Sequence, residues 1–296
     1  MSALAHVRRS VASTLTRGIA VLGEQGDSPR SEALLLIAHV INRDRAWILA
    51  HGEAAVSHRE FERFLVLCER RATGVPLAYV LGTAGFYGRE FAVDESVLVP
   101  RPETEHLVEE ALRFLAQRRE TSGRSSATVL DVGVGSGAIA CTIAAENPSA
   151  FVEGTDTSFG AIAMASHNAR RLGVGARCRF HRGRHGLPVS ERVFDAVVAN
   201  LPYVPSADVP LPPAPAGYEP REALDGGHDG LEVYREFLPS ARQLLAVGGL
   251  LLMEAAPPVI EGLRVLAALA FPRSSLEICN DYAGLARYVK LVVEAP

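Results

Sequence analysis

Lysine is nearly absent from this chain: Lys290 is the only one, and arginine supplies the rest of the 30 basic residues. We attribute this bias to genome composition and not to function. The formal net charge of -4 at pH 7 provides no overall basic field of the kind that holds nucleic acid, so direct nucleic acid binding is not expected. A local patch is compatible with this charge, and residues 181–185, His-Arg-Gly-Arg-His, are the candidate. We interpret them as a solvated loop, with contact to an acidic partner or a bound adenine as the alternative.

Cysteine is also scarce, and its spacing excludes the usual metal motifs. Four cysteines are scattered along the chain without a C-x-x-C pair, and no histidines stand at metal-ligand spacing. We therefore expect buried thiols in a reducing compartment and no metal site. No run approaches the roughly 18 apolar residues of a membrane span, and no apolar segment follows the arginines of residues 1–10. These absences predict a soluble cytoplasmic protein.

The amino-terminal part of the chain is predicted to be helical. With 296 residues, 48% of them hydrophobic, the chain is long enough for roughly two domains. Residues 1–75 contain no convincing strand, and we assign them to a small helical domain that docks the substrate, although simple packing would also explain it. Its helix patterns cover residues 7–22, 29–42 and 57–72. Ser28 before Pro29 predicts the start of the second helix, and Ser57 with Glu60 predicts a capping box at the third.

Residues 76–100 are predicted to form a β-hairpin that connects two domains. Glycines punctuate its two strand segments, which we place at residues 79–81 and 90–93. The second domain is predicted to span residues 101–296. From residue 128 onward, strand and helix patterns alternate, which favours an α/β fold with a mostly parallel sheet covered by helices on both faces. The last two strand patterns are predicted to pair antiparallel at one edge.

A proline-rich passage leads into the second domain. Pro100 and Pro102 fix an extended backbone, and Thr104 is predicted to cap the helix that follows. The passage is either a rigid linker or the rim of a site. In the second interpretation, three charged side chains are displayed towards a ligand: Arg101, Glu103 and Glu105.

A glycine-rich turn after the first strand of the second domain predicts a nucleotide site. Strand residues 129–132 run into Gly-Val-Gly-Ser-Gly, in which Gly133, Gly135 and Gly137 let the backbone turn sharply and approach a ligand closely. The next strand pattern ends at Asp156, where a carboxylate can accept hydrogen bonds from both ribose hydroxyls. The spacing differs from the dinucleotide fingerprint. With Asp131 ahead of it, this favours S-adenosylmethionine, an adenosine ligand without pyrophosphate; another nucleotide is the alternative.

The sequence Phe-Asp-Ala-Val-Val-Ala-Asn-Leu-Pro-Tyr, residues 194–203, combines a buried strand with polar chemistry at its carboxyl end. Asn200 offers a side-chain carbonyl oxygen, and Pro202 restricts Leu201 to an extended conformation that can aim its backbone carbonyl beside it. Two adjacent acceptors suit a planar NH2 group, and Tyr203 offers a flat face on which such a group can rest. The segment therefore predicts a site for an amide or an aromatic amine, with an ordinary Asn-x-Pro turn as the alternative.

Several segments together resemble one known family. They are RRATGVPLAYVLG, FYGREFAVDESVLVPRPETE, LDVGVGSGAIA, FDAVVANLPYV, YEPREALDGGHDGLEVYR and GGLLLMEAA. On these motifs the chain is similar to the HemK/PrmC protein-(glutamine-N5) methyltransferases, which modify peptide chain release factors. The resemblance covers nearly the whole chain. It implies a class I methyltransferase fold, with a Rossmann-like seven-stranded sheet and a small N-terminal helical domain. It also implies S-adenosylmethionine as methyl donor and the glutamine of a Gly-Gly-Gln tripeptide as acceptor.

The resemblance also implies roles for individual positions. Four residues match the family's catalytic glutamine-binding motif: Asn200, Leu201, Pro202 and Tyr203. The cofactor positions are Asp131, Gly133, Gly135, Gly137, Asp156 and Asn200. Substrate binding is implied for Pro100, Arg101, Glu103, Glu105, Asn200 and Tyr203. We expect a monomeric cytoplasmic enzyme whose partner is a release factor, with no membrane attachment and no metal.

Three departures from the family pattern leave alternatives open. Leu201 replaces a proline, residues 182–184 read Arg-Gly-Arg where a polar or acidic residue is usual, and residues 255–258 read Ala-Ala-Pro-Pro. The Asn-Leu-Pro-Tyr spelling is also similar to that of adenine-N6 methyltransferases that act on nucleic acid. A relative that binds S-adenosylmethionine without catalysing transfer is the second alternative.

Overall fold

A computed structural model describes residues 9–23, 28–123 and 125–294. The start of the first predicted helix, residue 7, lies outside the described residues. The chain divides into two compact units. The described residues of one belong to Met1–Gly82 and Pro210–Tyr218, and those of the other belong to Thr83–Val209 and Glu219–Pro296.

Helices and strands follow one another along the described chain in a helical part and then an alternating part. The helices are α1 Val11–Leu22, α2 Pro29–Ile41, α3 Arg45–Ala50, α4 His58–Ala72, α5 Leu77–Leu81, α6 Glu105–Ser122, α7 Ala138–Glu146, α8 Phe159–Arg171, α9 Glu232–Leu244 and α10 Pro257–Ala270. The strands are β1 Thr83–Phe86, β2 Arg89–Ala92, β3 Ala127–Val132, β4 Ala150–Asp156, β5 Cys178–Arg182, β6 Phe194–Ala199, β7 Leu245–Glu254, β8 Ser274–Asn280 and β9 Ala286–Val293. Among the described helices, none is both long and apolar enough to cross a membrane.

The helical unit packs α1 closely against α4. A Cβ added at Gly18 would lie 2.2 Å from the ring of Phe64, so only glycine permits this approach. The predicted capping box of α4 is confirmed, because Ser57 and Glu60 exchange hydrogen bonds between side chain and backbone. The predicted start of α2 is also confirmed, with Ser28 at the N-cap position and Pro29 as the first helical residue, although the Ser28 side chain makes no cap hydrogen bond. We did not predict α3, which begins where the Asp44 carboxylate accepts a hydrogen bond from the Trp47 N–H.

The first strand of the predicted hairpin is placed wrongly by the sequence pattern. Residues 79–81 belong to α5, and the hairpin consists of β1 and β2, in which Thr83 pairs with Ala92. Pro76 stands at the amino end of α5, and Gly82 ends the helix in the left-handed conformation at φ 74°. The chain therefore completes a helical turn before the hairpin begins, because glycine adopts this φ without steric cost.

The other unit contains a seven-stranded sheet in the order β5-β4-β3-β6-β7-β9-β8. Strands β3 to β7 run parallel, and β9 pairs antiparallel with both β7 and β8. The predicted antiparallel edge is confirmed. The order reverses between β3 and β6, which are neighbours although two strands separate them in sequence. Ligands of open α/β sheets bind at the carboxyl ends of the strands beside such a reversal.

The central strand β6 is buried on both faces, as its continuous apolar run predicts. Ala196 and Val198 pack into a core with α6, α7 and α8, whereas Val197 and Ala199 pack into a second core with α9 and α10. Successive side chains of a strand point to opposite faces, so the two cores enclose the strand completely. The end of β6 is therefore held rigidly at the edge of the sheet where Asn200 follows.

Candidate active site

A cavity of about 350 Å³ opens at the carboxyl ends of β3, β4 and β6. Its lining residues all belong to the unit that contains the sheet. They include Gly133 and Gly135 after β3, Asp156 at the end of β4, and Asn200 after β6. The topology thus brings three separate sequence segments to one space.

The glycine turn after β3 owes its shape to backbone angles that other residues resist. Gly133, Gly135 and Gly137 have φ values of 80°, 51° and 81°, in the left-handed region that favours glycine. A Cβ at Gly133 would approach Leu201 Cδ2 at 3.1 Å and the Asn200 carbonyl oxygen at 3.3 Å. The turn and the Asn-Leu-Pro-Tyr segment are therefore in direct contact, because β3 and β6 are paired with Val132 opposite Ala199.

Asp156 reaches the cavity from the end of β4. Its carboxylate accepts hydrogen bonds from the backbone N–H of Gly135 at 3.0 Å and of Ser158 at 2.9 Å. Burial raises the pKa of Asp156, and these backbone hydrogen bonds act against that rise. A carboxylate fixed in this way retains lone pairs that can accept hydrogen bonds from hydroxyl groups of a ligand.

Asp131 is placed beneath the glycine turn and does not line the cavity. It is 1% exposed, and its Oδ2 accepts a hydrogen bond from the backbone N–H of Ala140 at 3.1 Å. Its Oδ1 is buried without a hydrogen-bond partner, and burial raises the pKa of this carboxyl to about 7. Gly137 likewise lies outside the lining, where a Cβ would press against Ala165 at 3.0 Å. Both residues shape the turn from behind.

The Asn-Leu-Pro-Tyr segment is fixed from several sides. Asn200, Leu201 and Pro202 line the cavity, whereas Tyr203 does not. The fully buried Tyr234 hydroxyl accepts a hydrogen bond from the Leu201 N–H at 3.3 Å and donates to the Glu254 carbonyl oxygen at 2.5 Å. The phenol of Tyr234 therefore ties the segment to the end of β7.

The Gly-Gly-His-Asp-Gly sequence packs directly against this segment. A Cβ at Gly226 would lie 2.8 Å from the Pro202 carbonyl oxygen, and one at Gly230 would lie 2.4 Å from the Tyr203 carbonyl oxygen. The Gly226 N–H also donates to the Val204 carbonyl oxygen at 2.8 Å. The glycines in this loop are thus required by close backbone contact with the site.

A polar network connects the two side chains that the sequence singles out. Asn200 Nδ2 donates to the Thr104 hydroxyl at 3.2 Å, and the Tyr203 hydroxyl donates to Glu254 Oε1 at 3.4 Å. Burial raises the pKa of Glu254 to about 7, and hydrogen bonding from Thr104 and Tyr203 opposes the rise. Burial also raises the pKa of the Tyr203 phenol, which keeps it neutral. Thr104 does not cap α6 as predicted: its backbone is already helical, and its side chain faces Asn200 instead.

The proline-rich passage supplies one wall of the cavity. Pro100 and Arg101 line it, and Arg101 Nη2 forms an ion pair with Glu219 at 2.5 Å. Glu219, with a side chain 1% exposed, also accepts a hydrogen bond from the Val99 N–H at 3.3 Å. This pair joins the Pro-Arg-Pro-Glu-Thr-Glu and Tyr-Glu-Pro motifs physically. Burial raises the pKa of Glu219, and the nearby guanidinium of Arg101 lowers it.

Two of the predicted rim residues have other contacts. Glu105 accepts a hydrogen bond from the Tyr87 N–H at 2.7 Å, and Glu103 lies 3.8 Å from a guanidinium nitrogen of Arg287. Neither glutamate lines the cavity. Glu105 fixes the turn of the β1–β2 hairpin, since Tyr87 there has a positive φ of 49°.

The basic cluster at residues 181–185 is paired within the chain. His181 lies 2.8 Å from Glu153, Arg182 donates to the Thr157 carbonyl oxygen at 3.0 Å, and Arg184 forms an ion pair with Glu236. The guanidinium of Arg182 also stacks 3.8 Å above the exposed ring of Phe159. Gly183, Arg184 and His185 nevertheless line the cavity, which favours the alternative interpretation, contact with a bound adenine, over a solvated loop. Within the described residues, no group of three or more His, Cys, Asp or Glu side chains is arranged to hold a metal ion.

Comparison with known proteins identifies both the fold and the family. The model of the PrmC N-terminal domain matches residues 13–82, and that of the methyltransferase small domain matches residues 105–210. A crystal structure of a methyltransferase from Pyrococcus furiosus covers 72% of this chain and 92% of its own, with a TM-score of 0.50 and 17% identity. That likeness concerns the fold alone, and the predicted class I methyltransferase fold is confirmed.

Relatives of known name are far more similar. Release factor glutamine methyltransferase from Bordetella pertussis is 39% identical over 259 residues, which are 88% of this chain and 93% of that protein. The enzyme of the same name from Geobacter sulfurreducens is 42% identical over 241 residues, 81% of each chain. The predicted family is confirmed, and this chain belongs to the release factor glutamine methyltransferases.

Proposed function

We propose that this chain transfers a methyl group from S-adenosylmethionine to the side-chain amide of a glutamine in a peptide chain release factor. The acceptor is the glutamine of the Gly-Gly-Gln tripeptide that the sequence resemblance implies. One observation carries the proposal: the Asn-Leu-Pro-Tyr segment touches the glycine turn, with Asn200 O only 3.3 Å from the position of a Cβ on Gly133. An acceptor held by Asn200 would therefore lie next to a cofactor held by the turn.

The cavity fits an adenosine-containing cofactor without phosphate groups. At Gly135 an added Cβ would meet its nearest atom only at 4.0 Å, so the space beside this backbone is open to a ligand. We assign ribose binding to Asp156 and close backbone contact to Gly133 and Gly135. Asp131 and Gly137 support the turn from behind.

The acceptor residues mainly orient a weak nucleophile. The nitrogen of an amide is unreactive because its lone pair is delocalised, so the site must hold it in a productive position. We assign this task to Asn200 Oδ1 and the Leu201 carbonyl oxygen, which accept the two N–H bonds. Pro202 keeps Leu201 extended, and Tyr203 anchors the end of the segment through its hydrogen bond to Glu254.

No strong base is required for the transfer. Bound S-adenosylmethionine supplies an electrophilic methyl group. The acceptor nitrogen would form the new N–C bond while the S–CH3 bond breaks and S-adenosylhomocysteine leaves with that electron pair. The methylated amide would then release its extra, very acidic proton to water. We expect the walls of the cavity to limit competition by water during the alignment. The pair of Arg101 with Glu219 holds the proline-rich wall, and we assign contacts with the substrate backbone to Pro100 and Arg101, the two residues of this passage that line the cavity beside Thr104.

The organisation of the chain suggests the remaining roles. We propose that residues 1–75 dock the protein substrate, that residues 76–100 connect the two domains, and that residues 101–296 form the catalytic domain. Release factors act in translation, so we propose a cytoplasmic location. A monomer suffices, because every assigned group comes from one chain.

The direct test uses labelled S-adenosylmethionine with a release factor and a copy whose Gly-Gly-Gln glutamine is changed to alanine. Label on the first substrate alone is expected. Label on neither, with S-adenosylhomocysteine bound normally, would contradict the proposed acceptor.

The role of Asn200 is tested by Asn200→Ala. Because the change removes one of two acceptors, transfer should fall by about a hundredfold, whereas cofactor affinity should stay within about threefold. The control is Asn280→Ala, which removes an exposed asparagine at the end of β8. An equal loss of transfer and cofactor affinity in Asn200→Ala would refute the assigned role.

A further inference from the structure

The amide of Asn200 works in only one of its two orientations. Its Oδ1 accepts hydrogen bonds and its Nδ2 donates them, so a flipped side chain would present N–H groups to the N–H groups of the acceptor. The surroundings of Asn200 must therefore distinguish the oxygen of this amide from its nitrogen.

The contact on Asn200 comes from Thr104. The Thr104 hydroxyl lies 3.2 Å from Asn200 Nδ2 and is itself 4% exposed. On its other side, Thr104 interacts with Glu254, a carboxyl group 3% exposed at the end of β7. Glu254 Oε1 accepts from the Tyr203 hydroxyl at 3.4 Å, and Oε2 is buried without a hydrogen bond of its own.

The hydrogen count of this network sets its direction. A carboxylate only accepts hydrogen bonds, and a hydroxyl has one hydrogen to donate. If Glu254 is ionised, the Thr104 hydrogen points to Glu254, and the lone pairs of Thr104 are left to face Asn200. Only the NH2 end of Asn200 can then bond to Thr104, so Oδ1 is directed away from it towards the cavity.

We propose that Thr104 and Glu254 are positioning residues that hold the Asn200 amide with its carbonyl oxygen towards the acceptor. The proposal rests on the proposed function, since it explains how the acceptor-binding oxygen is presented. Neither residue needs to touch the glutamine. Tyr203, which contacts the same carboxylate, is held by the same network.

Protonation of Glu254 should reverse the arrangement. A protonated carboxyl group can donate to the Thr104 oxygen, and Thr104 is then free to donate to Asn200 Oδ1 and stabilise the flipped amide. The charged and titratable groups around Glu254 are Glu103, which favours protonation, Arg287, which opposes it, and the two phenols of Tyr203 and Tyr234. Because burial raises the pKa of Glu254 to about 7, the limiting rate should decline as the pH falls through this value.

Thr104→Val and Thr104→Ser test the network by kinetics. Valine keeps the shape and removes the hydroxyl, so kcat should fall about tenfold or more, whereas serine should keep kcat within about threefold. The dissociation constant of S-adenosylhomocysteine should stay within about twofold in both. A kcat for Thr104→Val within twofold of the native value would overturn the proposal, and so would a parallel loss of cofactor affinity.

A second measurement does not depend on methyl transfer. In protein with 13C-labelled glutamate carboxyls and 15N-labelled asparagine, the Asn200 side-chain NH2 resonances should shift with the same apparent pKa as Glu254. Glu254→Gln assigns the carboxyl signal, Asn200→Ala assigns the amide, and Asn280 is the control that should not respond. An Asn200 signal that ignores the titration of Glu254 would overturn the proposal, even if Thr104→Val failed to fold. Absent transfer by the native protein would instead count against the proposed function, and the resonances would still decide the network.

Discussion

Replacing Gly135 by alanine tests whether the turn after β3 holds the cofactor through close backbone approach. Gly135 has a φ of 51°, and an added Cβ would meet no atom of the chain closer than Gly133 O at 4.0 Å. The cost to folding is therefore backbone strain alone, roughly 1 to 2 kcal/mol. The new methyl group would project into open space, which is where we place the cofactor.

Gly135→Ala should therefore weaken cofactor binding much more than it weakens the fold. We expect the dissociation constant of S-adenosylhomocysteine, measured by calorimetry, to rise about tenfold or more, which corresponds to about 1.4 kcal/mol. The melting temperature should fall by only a few degrees. Methyl transfer measured at saturating cofactor should recover in part, because the acceptor residues are unchanged.

Gly173→Ala provides the matched control. Gly173 has a φ of 73°, has no atom within 4 Å of an added Cβ, and does not line the cavity. It should show the same small loss of stability and normal cofactor affinity. If Gly135→Ala and Gly173→Ala bind S-adenosylhomocysteine equally well, the cofactor does not approach this backbone and our placement is wrong.

Three further results are expected. Gly18→Ala should lower the free energy of unfolding by about 1 to 3 kcal/mol, because its Cβ would lie 2.2 Å from Phe64. Gly52→Ala, whose Cβ would lie 3.5 Å from its nearest neighbour, should lower it less when both variants are unfolded in urea. Equal losses in the two variants would refute the packing argument. Burial raises the pKa of Glu254 from 4.5 to about 7, so the proton bound in the folded state stabilises it fully below pH 4.5, and this contribution is lost as the pH rises through 7. Between pH 5 and pH 8, the melting temperature of Glu254→Gln should therefore fall less than that of the native protein. An identical dependence of melting temperature on pH in the two proteins would contradict the shifted pKa. In titrations with RNA or DNA, we expect only weak binding without a steep dependence on salt, and tight salt-sensitive binding would revive the nucleic acid alternative.

The sequence was sufficient to predict those parts of the fold and the site that depend on neighbouring residues. Buried strand β6 with its terminal Asn200, and the glycine turn after β3, could be predicted because periodicity and backbone conformation are encoded in adjacent residues. Adjacent residues misled us at residues 79–81, where an apolar run compatible with a strand forms a helix because Pro76 and Gly82 bound it.

The partners of Thr104 could not be predicted, because they depend on distant segments. Thr104 precedes a helix and is a common capping residue, yet 96 positions separate it from Asn200, whose amide it contacts. The position of the Asp131 side chain could not be predicted from the sequence either. Its place before the turn predicts a cofactor contact, and the sequence gives no sign that one carboxylate oxygen accepts a hydrogen bond from the Ala140 N–H. Only the assembled sheet distinguishes a residue in the wall from one behind it.

The pairing of Val132 with Ala199 has a consequence for how such enzymes diversify. Adjacent parallel strands lie about 4.8 Å apart, so the reach between the donor turn and the acceptor segment is a fixed property of the scaffold. Residues 210–218, which belong to the other compact unit, can then change in length and composition without altering that reach. A designer could therefore seek new protein acceptors by grafting this segment alone, leaving the ends of β3 and β6 and the contacts of Glu219 and Gly226 unchanged.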